Sequence, residues 1–261
     1  MKGQLCAGDY LKVYEFACEI SEDAISIICW INNHDKVRIL FDKSQAAVSP
    51  DINNGLVVIL SYLMAVITRW TTHATAFLRL LRLERAIMHA VQIGRNAIIA
   101  AQVGAATSTK KRRLEEDATK MCDLIEDRSG RFWNGLKTIV GDLEPICLAT
   151  NINQKDTVRP DQVLLAFIGM YLHFVDHPED CVRDGMVKHL EKRWKDCDQS
   201  LFLLALILNP FEVLTVFGPD ANLSRFKLND LILEVRYSFS LAHFAELYTR
   251  YTVASRAAQA T

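Results

Sequence analysis

The chain has 261 residues, 50% of them hydrophobic and 23% charged, so it can bury one large core or two small ones and is not disordered by composition. Its formal net charge of −1 is unlike that of proteins whose main task is to grip phosphate backbones, so any nucleic-acid contact must use a local basic patch. The seven cysteines show no CxxC spacing, which argues against a disulfide framework or a zinc ribbon and indicates reduced thiols in an intracellular protein.

The first part of the chain has few turn-forming residues, which favours helices. Apolar residues from Tyr10 to Ile31 recur at spacings of three and four, which predicts a helix that ends at Asn32-Asn33. A short helix from His34 to Ala47 is expected next, before a turn at Ser49-Pro50-Asp51. A third helix is predicted from Gly55 to Arg69, and it is expected to be central because it is apolar nearly all round.

The rest of the chain shows the same helical periodicity. The further predicted helices are Ala74 to Val103, Lys110 to Glu126, Phe132 to Ala149, Gln162 to Val175, Asp180 to Trp194, Gln199 to Leu208 and Leu228 to Tyr251. Glycine or proline marks breaks at Ser129-Gly130, at Asn209-Pro210 and at Gly218-Pro219-Asp220. Neither an alternating strand pattern nor an internal repeat is present. The sequence therefore predicts an all-α fold.

The best candidate for a linker is the segment 104–109. It divides an N-terminal helical part, residues 1–103, from a C-terminal helical part, residues 110–261; one continuous domain over residues 9–261 is the alternative. The N-terminus lacks the apolar core of a signal peptide. The longest apolar run, Leu56 to Ile67, is shorter than the ~20 residues that cross a bilayer, so no membrane partner is expected.

A metal site is one hypothesis for the C-terminal part. His173, Asp176 and His177 are spaced much as in the inverted zinc-protease pattern H-x-x-E-H, with aspartate in place of glutamate. Pro178 is expected to end the helix there, and aspartate is one methylene short for the usual base. The preferred interpretation is two histidines at a helix C-terminus, where the helix dipole favours them. The common nucleotide-binding and hydrolase motifs are absent.

Two groups of basic residues are candidates for contact with phosphate. The first group surrounds an aromatic residue and consists of Arg69, Trp70, His73, Arg79, Arg82 and Arg85. Its last three arginines share one side of a predicted helix, and Trp70 could stack on a base; a solvated face beside a core tryptophan is the simpler interpretation. The second group, Lys110-Lys111-Arg112-Arg113, fits a nuclear localisation signal or ion pairs with the acidic residues that follow it.

The order of several motifs resembles the hAT family of transposases. The motifs are Val66 to His73, which resembles its TRW signature; Arg131-Phe132-Trp133 with Leu143 to Ile146, which is similar to its FW…LxPI segment; and Leu190 to Lys195 with Leu201 to Pro210, which resembles its RW…LNP block. The segment from Trp30 to Gln45 is similar to the one that precedes TRW in fungal members. Together these motifs extend over roughly residues 8–217.

The resemblance implies both a fold and a chemistry. In that family a ribonuclease-H-like core carries three acidic residues that hold two Mg²⁺ or Mn²⁺ ions, and a large helical domain is inserted between the second and third acids. Gly8-Asp9-Tyr10 resembles the segment of the second acid, so Asp9 is the expected remnant of the catalytic set. The first and third acids have no counterpart here. The resemblance therefore implies a truncated helical insertion domain, with no cofactor and no nuclease activity.

Two functions are expected for such a chain. The leading one is a catalytically inactive, nuclear transposase fragment that contacts DNA through Arg69, Trp70 and the arginines that follow them. The alternative is a helical protein-interaction module without a nucleic-acid role. It would associate with itself or with another transposase-derived protein, because helices made to pack against a missing core leave apolar surface exposed.

Overall fold

The computed structural model describes residues 3–52, 56–64, 70–209 and 229–234. Within these ranges the long helices are α1 (Gly3–Val13), α2 (Glu15–Asn33), α3 (Asp35–Ile52), α4 (Trp70–Val103), α5 (Ser108–Ile125), α6 (Arg131–Asn153), α7 (Pro160–Val175), α8 (Asp180–Lys195) and α9 (Gln199–Ile207). Residues 229–234 form a further short helical segment, and no described residue lies in a strand. The predicted all-α fold is confirmed.

The first two predicted helices have different bounds in the structure. The stripe from Tyr10 to Ile31 is divided at Tyr14, whose φ of −123° and ψ of 89° separate α1 from α2. The apolar spacing continues across that break, so periodicity alone does not reveal it. The turn predicted at Ser49-Pro50-Asp51 is wrong, because α3 continues to Ile52. Ser49 is held there by hydrogen bonds to the segment that follows α3, and such tertiary contacts override local propensity.

The third predicted helix, Gly55 to Arg69, is wrong over residues 56–64, which are not helical. Residues 55 and 65–69 lie outside the described part. A short run of apolar residues has no polar face, so its periodicity cannot separate a helix from an extended chain. Three consecutive β-branched residues, Val57, Val58 and Ile59, favour the extended form because their side chains are crowded in a helix.

The long helix α4 begins at Trp70, four residues before its predicted start, and has a kink at Gly94 (φ −121°, ψ 19°). It ends before Gly104, whose φ of +53° is left-handed and whose N–H donates to the carbonyl of Ala100 at 2.9 Å, an arrangement typical of helix C-termini. The predicted linker 104–109 thus consists of this turn and the first residues of α5. The predicted turn at Gly218-Pro219-Asp220 and most of the predicted last helix lie outside the described residues.

The chain forms two compact units, Ala7–Cys147 and Met1–Cys6 with Leu148–Thr261. The predicted linker 104–109 lies within the first unit, whereas the divisions fall inside α1 and α6. None of the helices in the described ranges is long and apolar enough to cross a bilayer.

The core of the unit Ala7–Cys147 is built from the apolar faces of its helices and from a few buried polar contacts. The hydroxyl of Tyr10 on α1 donates to the carboxylate of Asp142 on α6 at 2.6 Å, and both residues are buried. Trp133 donates its indole N–H to the carbonyl of Ile125 at 2.9 Å, which joins the start of α6 to the end of α5. These contacts join α1 and α5 to α6, while α5 packs against α4, which carries most of the predicted arginines.

In the other unit α7 packs against α8 and α9. The rings of Phe167 and Trp194 lie 6.0 Å apart between α7 and α8. The buried carboxylate of Asp161 in the first turn of α7 accepts hydrogen bonds from Arg159 at 2.9 Å and from Asn209 at 2.8 Å. Asp161 thereby ties the end of α9 to the beginning of α7.

Candidate nucleic-acid and association surfaces

Asp9, the expected remnant of the second catalytic acid, lies inside helix α1 and is only 8% exposed. Among the described residues there is no group of three or more His, Cys, Asp or Glu side chains that could hold a metal ion. His173 and His177 lie at the C-terminal end of α7, with ring centroids 6.4 Å apart. The Nδ1 atom of the buried His177 accepts the backbone N–H of Glu179 at 3.1 Å, so one of its ring nitrogens already serves the turn between α7 and α8.

The predicted residues around the TRW motif are placed very differently from one another. Arg69 and the side chain of Trp70 lie outside the described part, although Trp70 is the first residue of α4. His73 is only 6% exposed and packs edge-on against Phe77, with the ring centroids 6.1 Å apart. Burial lowers the pKa of His73 below its ordinary value, so the ring is neutral at pH 7 and is poorly suited to contact a phosphate.

The three arginines of α4 do not act alike. Arg79 donates from its guanidinium to the carbonyl of Ser61 at 3.1 Å, so it contacts the chain segment before α4. Arg82 and Arg85 are exposed and line a groove of about 520 Å³ between α3 and α4. The structure therefore brings two of the six predicted residues together on an accessible surface.

The negatively charged residue that lines this groove is paired with a neighbouring cation. Glu84 also lines the groove, but its carboxylate lies 3.0 Å from the ammonium of Lys137 on α6. His89 also lines the groove. Its Nδ1 atom lies 2.7 Å from the hydroxyl of Ser44, which donates to the carbonyl of Ala86 at 2.8 Å. The groove is thus a small surface with two exposed guanidinium groups and polar edges.

The second basic group, Lys110 to Arg113, lies in the first two turns of α5 and is exposed. Arg112 is 2.8 Å from Glu116 and Lys111 is 3.9 Å from Glu115. Both are pairs four residues apart, as predicted. Such exposed pairs are weak, so they do not prevent the run from meeting another partner.

Residues 56–64, which we call the edge segment, extend alongside α3 and contain no charged residue. The side chain of Gln45 receives the N–H of Leu60 at 2.8 Å and donates to its carbonyl at 3.1 Å. Ser49 receives the N–H of Val58 at 2.7 Å and donates to its carbonyl at 3.1 Å. Two side chains of a helix thus bond the segment as a neighbouring strand would.

The other backbone edge of the edge segment is different. The backbone groups of Val57 and Ile59 have no hydrogen-bond partner among the residues that the structure describes. The backbone groups of Leu56, Val58 and Leu60 all bond to α3 side chains, the alternation of an extended chain. Successive residues of such a chain point their N–H and C=O groups to opposite sides, so those of Val57 and Ile59 point away from α3. Ser61 ends this open edge because its carbonyl accepts from Arg79.

The apolar side chains of the edge segment are exposed instead of central, contrary to the prediction. The exposed fractions are 68% for Leu56, 61% for Val57, 40% for Val58 and 54% for Ile59. Only Tyr62 is buried, and its hydroxyl accepts from Gln45 at 2.8 Å. Four adjacent exposed apolar residues are unusual on a monomer surface and commonly mark an interaction site.

Sequence reasoning missed Gln45 and Ser49 as determinants of this surface. A signal was present, because two polar residues four apart share one face of a helix and an uncharged run of β-branched residues follows them. The prediction of a turn at Ser49 concealed that shared face.

Comparison with models of protein families, with curated proteins and with solved structures gave no match in any of the three.

Proposed function

We propose that the chain is a noncatalytic, hAT-like helical domain that contacts DNA through α4. The observation that supports this best is the pair Arg82 and Arg85, which are exposed on α4 and line one groove, while Glu84 in the same groove lies 3.0 Å from Lys137. Guanidinium groups on one helix face can contact phosphates without reading bases. With a net charge of −1, the contact is local, salt-sensitive and weak.

Binding of duplex and hairpin DNA across a salt series tests this proposal. We expect Arg82→Ala with Arg85→Ala to weaken binding and to reduce the salt slope by about 2, because each phosphate contact contributes close to one unit. Arg38→Ala with Arg128→Ala is the matched control, since both are exposed arginines outside the two candidate basic groups. A second variant, Arg69→Ala with Trp70→Ala, tests the start of α4. No affinity at low salt, or equal losses in the control, overturns the DNA contact.

A nuclear location accompanies the proposal and is supported by the exposed run from Lys110 to Arg113 on α5.

The second proposed function is self-association, favoured by the exposed apolar residues Leu56 to Ile59 of the edge segment. Light scattering over a concentration series measures it directly. A mass that rises above 29.6 kDa with concentration supports association. A clean monomer at every concentration overturns it.

A further inference from the structure

Resting on the self-association proposed above, we propose that two copies of the chain pair edge to edge through the edge segment, in antiparallel orientation, with the twofold axis at Val58. Self-association through an apolar patch thereby becomes a β-pairing with a defined orientation and register. It rests on the backbone groups of Val57 and Ile59, which the structure leaves open.

The open edge defines the kind of partner. One edge of the segment is taken by Gln45 and Ser49, so a partner strand can add only on the other side. That side offers Val57 and Ile59 and is closed at Ser61 by Arg79. A fitting partner is therefore a short extended chain with its own open edge and without charge.

The same segment of a second copy meets these requirements. In an antiparallel arrangement Val57 of one copy lies opposite Ile59 of the other, and the reverse pair forms across the axis. Each of these pairs exchanges two N–H···O bonds, whereas Val58 faces its own counterpart in a non-hydrogen-bonded position. An interface of this kind is self-complementary, as twofold symmetry requires.

Charge and side chains favour the second copy over an unrelated strand. The segment 56–64 carries no charge, so two copies can lie side by side without repulsion. It also lacks the lysine or proline with which edge strands are commonly protected from pairing. The exposed β-branched side chains of Val57, Val58 and Ile59 give cross-strand contacts that stabilise a pair.

The first test separates backbone pairing from general apolar contact. Ile59→Pro removes an open-edge N–H but leaves the bonds of Val58 and Leu60 to α3 untouched. Ile59→Thr is the matched control, because it removes apolar surface while it keeps the N–H and the β-branch. Sedimentation velocity on the full chain is expected to show a loss of about tenfold or more in the association constant for Ile59→Pro, and a smaller loss for Ile59→Thr.

The second test reads the register. In the proposed pair the two Val58 Cα atoms lie about 4.5 Å apart, within the range that a disulfide spans. Val58→Cys is therefore expected to form an intermolecular disulfide faster under mild oxidation than Val57→Cys or Ile59→Cys, whose equivalent atoms lie about 7–8 Å apart. The unaltered chain, with its own seven cysteines, gives the background rate, and helical circular dichroism checks that each variant is folded.

The outcomes distinguish the pairing from association in general. Faster cross-linking at position 58 together with a selective loss in Ile59→Pro supports the pairing. Association that neither Ile59 variant changes, or equal cross-linking at all three positions, overturns the pairing and leaves self-association through another surface. A monomer at every concentration overturns both.

Discussion

At the scale of single residues, helix α6 holds two glycines whose surroundings are opposite. A Cβ atom at Gly135 would lie 2.8 Å from Cζ of Phe16 and 3.1 Å from Cγ1 of Ile20, so α6 and α2 approach closely there. A Cβ atom at Gly141 would meet nothing within 4 Å. The same substitution is therefore expected to have opposite effects at the two positions.

We expect Gly135→Ala to lower the free energy of unfolding by about 1–3 kcal/mol, because α2 or the ring of Phe16 must shift. Gly141→Ala should raise it by about 0.5–1 kcal/mol, because alanine restricts the unfolded chain and favours helix. Urea unfolding followed by circular dichroism measures both. A destabilised Gly141→Ala, or an unaffected Gly135→Ala, would contradict the packing described here.

The buried imidazole of His73 gives a second prediction at this scale. Burial lowers its pKa in the folded state, so the unfolded chain binds a proton more readily than the folded chain. Its contribution to stability is present above the ordinary pKa of about 6.5 and is lost as pH falls below it. We expect the unaltered chain to lose more stability than His73→Gln between pH 7.5 and 5.5. If the free energy of unfolding falls equally with pH in the two proteins, the ring of His73 is exposed to solvent and the burial described here is contradicted.

At the scale of elements, α3 and the edge segment form one structural unit through Gln45. This side chain is only 3% exposed and bonds the N–H and the carbonyl of Leu60 as well as the hydroxyl of Tyr62. An apolar replacement of similar size would leave those backbone groups without their partner. Each unsatisfied buried group costs about 1–3 kcal/mol.

We therefore expect Gln45→Leu to destabilise the chain and to speed hydrogen exchange at the amide of Leu60, as measured by mass spectrometry of that peptide. Gln92→Leu is the control, because Gln92 is exposed on α4 and should leave this exchange unchanged. Unaltered protection at Leu60 in Gln45→Leu would show that apolar packing, not the amide, holds the segment.

At the scale of the whole molecule, the reactivity of the cysteine thiols shows which parts of the two units are protected from solvent. Burial raises the pKa of Cys122 and of Cys147 to about 11 in each case, whereas Cys181 is exposed. Thiolates are the reactive species. We expect a thiol reagent at pH 8 to modify Cys181 well before Cys122 or Cys147, and all seven cysteines to react in urea; rapid native labelling of Cys122 would contradict the burial.

The raised pKa values of Cys122 and Cys147 also predict that the folded chain loses stability at alkaline pH. Because their folded-state pKa lies above the ordinary value of 9.0, their contribution to stability is present below pH 9 and is lost as pH rises towards 11.

Much of the helical architecture could be predicted from sequence, since α4 to α9 follow apolar spacing and the breaks at glycine and proline. Three features could not. The break at Tyr14 lies within an uninterrupted apolar stripe, and α3 passes through Pro50 because Ser49 is held from outside the helix. The run from Leu56 onward is bonded by the side chains of Gln45 and Ser49, which lie 9 to 15 residues before their partners, outside the window that periodicity examines. For the candidate surface, the exposure of Arg82 and Arg85 could be anticipated from helical spacing, but not the burial of His73.

The partnership between α3 and the edge segment has a geometric limit. One helical step from Gln45 to Ser49 advances about 6.0 Å and rotates by about 40°, while two residues of an extended chain advance about 6.6 Å without that rotation. The two repeats therefore match for one step and drift apart afterwards. Consistent with this drift, the carbonyl of Tyr62 receives its donor from Asn32 on α2 instead. The side chains of a helix can therefore replace a neighbouring strand only over one such step. A longer strand at this position would require a true backbone partner.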